Sequence, residues 1–272
     1  MMTNKKMRGL LSALGVCLFL AICLIGVAGC GLFSNNEYMR YDDSEYAVGG
    51  TSLSQNVELI KIDWVDGDIT VNVSDSAYYV SFYEQSNADN LQDSDVTLRY
   101  KVYGNQLLIK FAKSRASLKG NVKKTLTVTL PAQNVDQLSI ANIAGDVSVR
   151  GSNITAVTGT EIDVETVSGN VSFSTLNVNK VEVETVSGAV SFSSCVVATE
   201  IDIESVSGDV EFWFGPQKDF VCTFNTVSGR VENYIEATKN GNTYTYGDGA
   251  KVAIRVDTVS GKLKLVLNPV YA

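Results

Sequence analysis

Three similar stretches of this 272-residue chain indicate its fold: EIDVETVSGNVSF at 161–173, KVEVETVSGAVSF at 180–192 and EIDIESVSGDVEF at 200–212. Each stretch alternates apolar and polar residues with a period of two, which is typical of β-strands and not of helices. Each also has a Ser-Gly pair between two alternating segments. The repetition predicts an all-β repeat protein in which every copy supplies at least two short strands.

The repeat continues in both directions. Two later copies read FVCTFNTVSGRVEN at 220–233 and AIRVDTVSGKLKLV at 253–266, and two weaker copies surround Gly67 and Gly145. The glycines of the five strong copies are separated by 19, 20, 21 and 32 residues. A unit of about 20 residues cannot bury its own apolar face, whereas stacked units can, because equivalent valines and phenylalanines form continuous columns.

We therefore predict a parallel β-solenoid, a β-helix-like stack of TVSG repeats of about 20 residues. The alternative is an antiparallel sandwich of repeated hairpins, and the near-identical phase of the copies favours stacking. In the first copy, Val167 shares the parity of Phe173 and not that of Ile162 and Val164. We interpret this as a change of the inward face, with a corner or bulge at Thr166.

Less regular sequence flanks the repeats. We expect residues 56–270 to form the domain, with 56–135 as a cap region and 136–270 as the repeats, because an open solenoid end exposes unpaired strand edges. The gap of 32 residues has room for an extra hairpin that turns at Asn240-Gly241. Residues 30–55 are polar and lack periodicity, which predicts a flexible tether.

Residues 1–29 have the features of an export signal. Lys5, Lys6 and Arg8 precede an uncharged apolar stretch, and Val27-Ala28-Gly29-Cys30 resembles the lipobox of bacterial lipoproteins. The resemblance implies cleavage before Cys30 and lipidation of its thiol, which would anchor the domain to the extracytoplasmic face of the cell membrane. The alternative is an uncleaved membrane helix, since about 20 apolar residues can span a bilayer. Both give the same topology.

Composition argues against several functions. The chain has no histidine, so the commonest general base and metal ligand near neutral pH is missing. Three of the 22 basic residues lie in the export signal, which leaves 19 against 30 acidic residues. This balance argues against nucleic acid as a partner and against adhesion to anionic lipid headgroups, since both need basic patches. Only Cys195 and Cys222 fall in the predicted domain. They either form a disulfide or act as two separate small hydrophobes.

The candidate site is acidic. Six carboxylates alternate with the apolar residues of three copies and should therefore face outward: Asp163, Glu165, Glu182, Glu184, Asp202 and Glu204. Stacking would arrange them in two columns with about 4.8 Å between neighbouring strands. Carboxylate oxygens suit Ca²⁺, so the columns could bind calcium. The alternative is a solvated face that keeps the solenoid soluble.

We predict no catalytic residue and no organic cofactor. The carboxylates are periodic copies, whereas a catalytic pair is usually a singular feature of a sequence. The serines before the glycines lack a histidine to activate them, so we interpret them as turn residues that bond to nearby backbone. In Phe212-Trp213-Phe214 the middle residue should face outward. Trp213 could stack on a sugar ring or a partner, or lie under a loop.

The chain also resembles a known family. The run Leu126-TVTLP, then Leu138-SIANIAGDVSV, the serial TVSG copies and Tyr246-GDG are similar to bacterial DUF4097 proteins, a family of candidate adhesins, over residues 56–268. The resemblance implies a parallel β-helix-like fold on a cell-envelope protein, and it supplies no catalytic residues. The copies around Gly67 and Gly145 depart from the pattern because they lack the Thr-Val-Ser lead.

These observations predict a lipid-anchored extracytoplasmic solenoid that acts by binding or as a scaffold. Its partner would be a cell-wall polymer, another envelope protein or a neighbouring cell. One alternative is an accessory sensor in envelope-stress signalling. A carbohydrate-active enzyme is a further alternative, which rests only on the use of β-helices by many such enzymes.

Overall fold

The computed structural model describes residues 40–86, 95–116, 122–152, 159–215, 219–249 and 252–269, so the predicted export signal and Cys30 lie outside it. In the described residues, no helix is long and apolar enough to cross a membrane. The strands are β1 (Ala47–Val48), β2 (Thr51–Ser52), β3 (Leu59–Asp66), β4 (Ile69–Ser74), β5 (Ser81–Ser86), β6 (Arg99–Tyr103), β7 (Gln106–Lys110), β8 (Lys124–Pro131), β9 (Gln137–Ala144), β10 (Val147–Gly151), β11 (Glu161–Ser168), β12 (Val171–Ser174), β13 (Asn177–Ser187), β14 (Val190–Ser193), β15 (Val196–Ser207), β16 (Val210–Phe214), β17 (Phe220–Thr226), β18 (Arg230–Asn233), β19 (Thr238–Asn240), β20 (Thr243–Tyr246), β21 (Val252–Ser260) and β22 (Lys262–Leu267).

The strands form two sheets that share one apolar core. The first sheet has 12 strands in the order β1-β6-β7-β3-β9-β11-β13-β15-β21-β17-β20-β19. The second sheet has 10 strands in the order β18-β22-β16-β14-β12-β10-β4-β8-β5-β2. Neighbouring strands are parallel in the middle of both sheets, and they are antiparallel at both ends of the first sheet and at the β5-β2 end of the second. At the other end of the second sheet, β18 pairs with β22 in parallel. The predicted all-β, β-helix-like stack is confirmed, and the antiparallel sandwich is wrong.

Each repeat forms one rung of the stack. A long strand such as β11 lies in the first sheet, the chain turns at the glycine, and a short strand such as β12 lies in the second sheet. The phenylalanines of the short strands stack inside, with ring centroids 4.7 Å apart for Phe173 and Phe192 and 5.0 Å apart for Phe192 and Phe212. Burial of one such side chain stabilises the fold by about 1.5–3 kcal/mol, so the phenylalanine column fixes the register of successive rungs.

The corner lies at the glycine and not at Thr166, so this expectation was wrong. Thr166 is buried and continues the inward alternation of Ile162 and Val164, whereas Val167 is only partly buried and faces outward. The Thr166 hydroxyl lies 3.5 Å from the Ser168 carbonyl oxygen, which gives this polar side chain an acceptor inside the protein. The inward face changes at Gly169, whose φ of 128° favours glycine.

A column of glycines runs along the corner. A Cβ atom on Gly169 would lie 2.0 Å from the carbonyl oxygen of Gly145, and a Cβ atom on Gly188 would lie 2.0 Å from the carbonyl oxygen of Gly169. Such distances are far below van der Waals contact, so close backbone approach requires glycine at these positions. Equally close backbone contacts connect the other glycines of the column. Its spatial order is Gly67, Gly145, Gly169, Gly188, Gly208, Gly261 and Gly229. The two weaker copies therefore belong to the same stack as the TVSG copies.

The rungs are not stacked in chain order. The last copy, β21 and β22, lies between the third copy and the fourth: β21 pairs with β15 on one side and with β17 on the other. The intervening residues form the predicted hairpin, in which β19 and β20 pair across a turn that includes Gly241. This hairpin extends the first sheet beyond β17 and covers its edge.

The opposite end of the stack contains antiparallel strands and part of the segment expected to be a tether. β1 pairs with β6, and β2 pairs with β5. The Tyr41 hydroxyl donates to the Ala112 carbonyl oxygen at 2.5 Å. Residues 40–55 are thus packed against the domain, and their assignment to a flexible tether is wrong. Residues 30–39, the rest of that segment, lie outside the described residues.

A charged pair is buried in the same end. Lys124 and Glu84, whose side chains are 0% and 5% exposed, lie 2.7 Å apart between Nζ and Oε2. The Lys124 ammonium also donates to the carbonyl oxygens of Val96 and Phe111. Burial lowers the pKa of Lys124 to about 8, against the opposing effect of Glu84. The ring centroid of Phe111 lies 4.1 Å from Nζ, so the ammonium contacts an aromatic ring as well as these polar partners.

Candidate functional site

The six predicted carboxylates come together on the outer face of the first sheet. Strand pairing places Asp163, Glu182 and Asp202 in one row and Glu165, Glu184 and Glu204 in a second row. We call these six residues the acidic ladder. Adjacent strands are about 4.8 Å apart, so neighbouring carboxylates within a row are close enough to repel each other.

The acidic ladder is half-buried rather than freely solvated. The side chains of Asp202 and Glu204 are both 18% exposed, and that of Glu182 is 45% exposed. One oxygen of Asp202 is buried without a hydrogen-bond partner. Partial burial strengthens repulsion between carboxylates because solvent screens them less.

Basic side chains partly neutralise the ladder, which the sequence analysis did not anticipate. Arg255 lies 3.5 Å from Asp202 and 3.9 Å from Glu204, and it also contacts Asp257. Lys180 Nζ lies 3.0 Å from Glu182. Arg255 and Asp257 occupy the same two repeat positions as the carboxylates. Alignment of the last copy with the first three would therefore have found them.

Glu184 lies at the centre of the ladder. Burial is the main cause that raises its pKa to about 7, and the neighbouring carboxylates Glu165 and Glu204 raise it further. Burial also raises the pKa of Asp163, Glu165, Asp202 and Glu204, and nearby basic groups oppose that shift in each of them. A cation placed against Glu184 would relieve the repulsion, so the middle of the ladder has the strongest electrostatic preference for a positive group.

Calcium binding by the ladder stays a prediction. Across the residues that the structure describes, no group of three or more Asp, Glu or Cys side chains is arranged to hold a metal ion. The carboxylates of one row belong to different strands and are spread along the stack. The geometry is better suited to several separate positive groups than to one ion in a compact shell of six to eight oxygens.

The serines before the glycines bond to backbone, as expected, but across rungs. Ser168 Oγ lies 3.3 Å from the Ile143 carbonyl oxygen, and Ser187 Oγ lies 3.3 Å from that of Val167. Ser207 and Ser228 make equivalent contacts with the neighbouring rung. These hydroxyls thus join adjacent rungs at the corner.

Trp213 faces outward between two buried phenylalanines, as expected. Its Nε1 donates to Glu211 at 3.1 Å, and the Lys264 ammonium lies 4.8 Å from its ring. The indole is therefore already partnered by polar groups of its own sheet.

The two cysteines are free thiols, and burial raises the pKa of Cys195 to about 11 and that of Cys222 to about 12.

Comparison with known proteins identifies the family. No curated protein matches the chain. A crystal structure of a candidate cell adhesion protein from Clostridium sporogenes is 12% identical with a TM-score of 0.46, covering 82% of this chain and 99% of that one. A candidate adhesin from Bacteroides fragilis is 15% identical with a TM-score of 0.44, covering 81% and 97%. The profile of the Toastrack DUF4097 family matches residues 57–199 and 153–266. Together these two segments matched by the family profile span most of the chain, which therefore belongs to the Toastrack DUF4097 family.

Proposed function

We propose that this chain is a lipid-anchored, non-catalytic binding module on the extracytoplasmic face of the cell membrane. The acidic ladder carries the proposal: two rows of half-buried carboxylates on a stiff sheet present negative charge at regular spacing. Such a surface fits a partner that repeats positive groups along its length. The partner is a cell-wall polymer with amino groups, or a basic segment of another envelope protein.

The arrangement supports binding because basic side chains of the chain itself relieve the repulsion within the ladder only in part. Arg255 neutralises one end, near Asp202 and Glu204, and Lys180 contacts Glu182. Glu184 has carboxylates on both sides. A bound cationic group would lower the pKa of Glu184 and would gain the attraction of several carboxylates at once.

The binding proposal is tested by co-sedimentation of residues 40–272 with isolated cell walls, with and without Ca²⁺. We begin at residue 40 because residues 40–55 pack against the domain. We expect the wild-type domain to pellet with walls and the variant Glu165→Gln/Glu184→Gln/Glu204→Gln to stay in solution. The matched control is Asp75→Asn/Glu236→Gln/Asp248→Asn, which removes the same charge from exposed positions outside the ladder.

Each outcome of this experiment has a distinct meaning. An equal loss of pelleting in both triple variants would show that net charge and not the ladder governs binding. Pelleting of the ladder variant at the wild-type level would show that binding does not need the ladder. Either result would contradict the proposal. Pelleting that requires Ca²⁺ and is lost only in the ladder variant would make calcium part of the site. If the wild-type domain does not pellet at all, cell-wall polymer is excluded as the partner.

The anchor is tested separately by Cys30→Ser. The lipobox resemblance of Val27-Ala28-Gly29-Cys30 supports lipidation of this thiol. We expect the wild-type protein to fractionate with membranes and to partition into detergent, at a mass that lacks residues 1–29 and includes lipid. A membrane protein of unprocessed mass in both forms would instead favour an uncleaved helix.

A further inference from the structure

Exposed tyrosines are concentrated at the end of the stack that contains β1, β2, β5 and β6. Five of the eight exposed large hydrophobic side chains of the described residues belong to this end: Val48, Tyr78, Tyr79, Tyr83 and Tyr103. Tyr78 is 86% exposed and Tyr103 is 73% exposed. We call these five residues the tyrosine end. Exposed apolar side chains that gather on one part of a surface are characteristic of interaction sites.

Strand order places these residues at one end of the stack, where Val48 and Tyr103 face outward from the first sheet and Tyr83 faces outward from the second. Val48 is on β1 and Tyr103 ends β6, the two outermost strands of the first sheet. Tyr83 lies on β5, the second strand from the same end of the second sheet. Gly50 joins the two sheets, because its backbone packs directly on Phe82 and Tyr83. Tyr78 and Tyr79 lie in the connection that leads into β5.

The length of the preceding chain limits how far this end can lie from the membrane. Arg40, the first described residue, follows Cys30 by ten positions in the sequence. Fully extended, this segment spans at most about 35 Å. The 12 strands of the first sheet extend about 53 Å at about 4.8 Å per step. The proposed anchor therefore keeps the tyrosine end within about 35 Å of the lipid surface, while the opposite end can lie farther from it.

The distribution of charge favours the same orientation. Residues 40–131 contain 10 basic and 12 acidic residues, a net charge of −2, whereas residues 132–272 contain 9 basic and 17 acidic residues, a net charge of −8. An anionic bilayer repels the acidic repeats much more strongly than the nearly neutral end. Tyrosine is well suited to the membrane interface because its ring is apolar and its hydroxyl stays hydrated.

We propose that the tyrosine end docks on the lipid surface to which Cys30 anchors the chain, so that the stack stands upright and presents the acidic ladder outward. The inference rests on the proposed lipid anchor. Docking need not be strong, because the anchor makes it an intramolecular event at high effective concentration. The remaining exposed residues, Val227, Tyr234 and Val259, belong to the distal rungs and would face away from the bilayer.

The test measures iodination of individual tyrosines in the mature lipoprotein by a membrane-impermeant reagent, with mass spectrometric detection. The protein is incorporated in vesicles of phosphatidylethanolamine and phosphatidylglycerol. Residues 30–272 with Cys30→Ser, which lack both the export signal and the lipid, are the reference in solution. We expect a several-fold lower rate at Tyr78 and Tyr103 on vesicles. Tyr234, which is 65% exposed at the other end, is the internal control and should react at the same rate in both samples.

Flotation of the vesicles separates the two proposals. If the lipoprotein floats with the vesicles but Tyr78, Tyr103 and Tyr234 react as they do in solution, docking is overturned and the anchor stands. Protection of Tyr234 in place of Tyr78 and Tyr103 would mean the opposite orientation and would also overturn docking. If the lipoprotein does not float, the anchor fails and docking fails with it.

Discussion

Replacement of Gly188 by alanine should strongly destabilise the stack, because the new methyl group would collide with the neighbouring rung. The new Cβ atom would lie 2.0 Å from the carbonyl oxygen of Gly169, and the φ of Gly188 is 139°. Strained backbone costs about 1–3 kcal/mol, and forcing an extra methyl group against fixed atoms costs a further ~1–3 kcal/mol. We therefore expect Gly188→Ala to lower the free energy of unfolding by about 2–6 kcal/mol.

Gly241→Ala is the matched control. Gly241 also has a positive φ, 64°, but a Cβ atom there would meet nothing within 4 Å. This change should cost only about 1–2 kcal/mol, the penalty of a left-handed conformation. Urea unfolding of residues 40–272, followed by circular dichroism, compares the two variants. Equal losses of stability would refute the reasoning, because they would show that crowding against the neighbouring rung contributes nothing.

Three further changes test the electrostatics and the interior. The pKa of Glu184 is raised to about 7, so the free energy of unfolding should fall as the pH rises from about 4.5 to 7. Glu184→Gln should therefore stabilise the fold by about 1 kcal/mol at pH 8 and have little effect at pH 5. Urea unfolding at each pH measures the difference. The buried hydroxyl of Thr185 has no hydrogen-bond partner, so Thr185→Val should raise the free energy of unfolding by up to ~1 kcal/mol. The hydroxyl of Thr258 donates to the Ser260 carbonyl oxygen at 3.1 Å, so Thr258→Val should lower the free energy of unfolding. Equal effects of the two variants in thermal unfolding would contradict this. Lys124→Met removes the ammonium partner of the buried Glu84 carboxylate, which still accepts a hydrogen bond from the Leu98 backbone N–H, and it should cost about 3–5 kcal/mol. The double variant with Glu84→Leu should restore part of this loss in urea unfolding.

Much of the fold could be predicted because the repeat encodes both strands and their common phase. Period-two alternation indicated which residues face inward, and the glycines marked the turns. The position of the corner was missed because Val167 is apolar but faces outward, while Thr166 is polar but buried. Hydrophobicity alone assigns such a pair to the wrong faces.

The spatial order of the rungs was not predictable from the copies themselves. Every rung offers the same alternating edge to its neighbours, so the pattern does not specify that β21 lies between β15 and β17. The consequence for the site is direct. This order brings Arg255 against Asp202 and Glu204, and the ladder therefore ends in a basic residue that reasoning within single copies did not consider.

The binding surface is tested most directly by carboxyl footprinting of residues 40–272 with and without isolated cell walls. A carbodiimide with an added amine labels accessible Asp and Glu side chains, and mass spectrometry measures the labelling of each residue. We expect bound walls to protect Glu165, Glu184 and Glu204, while Asp75 and Glu236 keep their labelling. Unchanged labelling of the ladder in a sample that pellets with the walls would contradict the proposal, because binding would then occur through another surface.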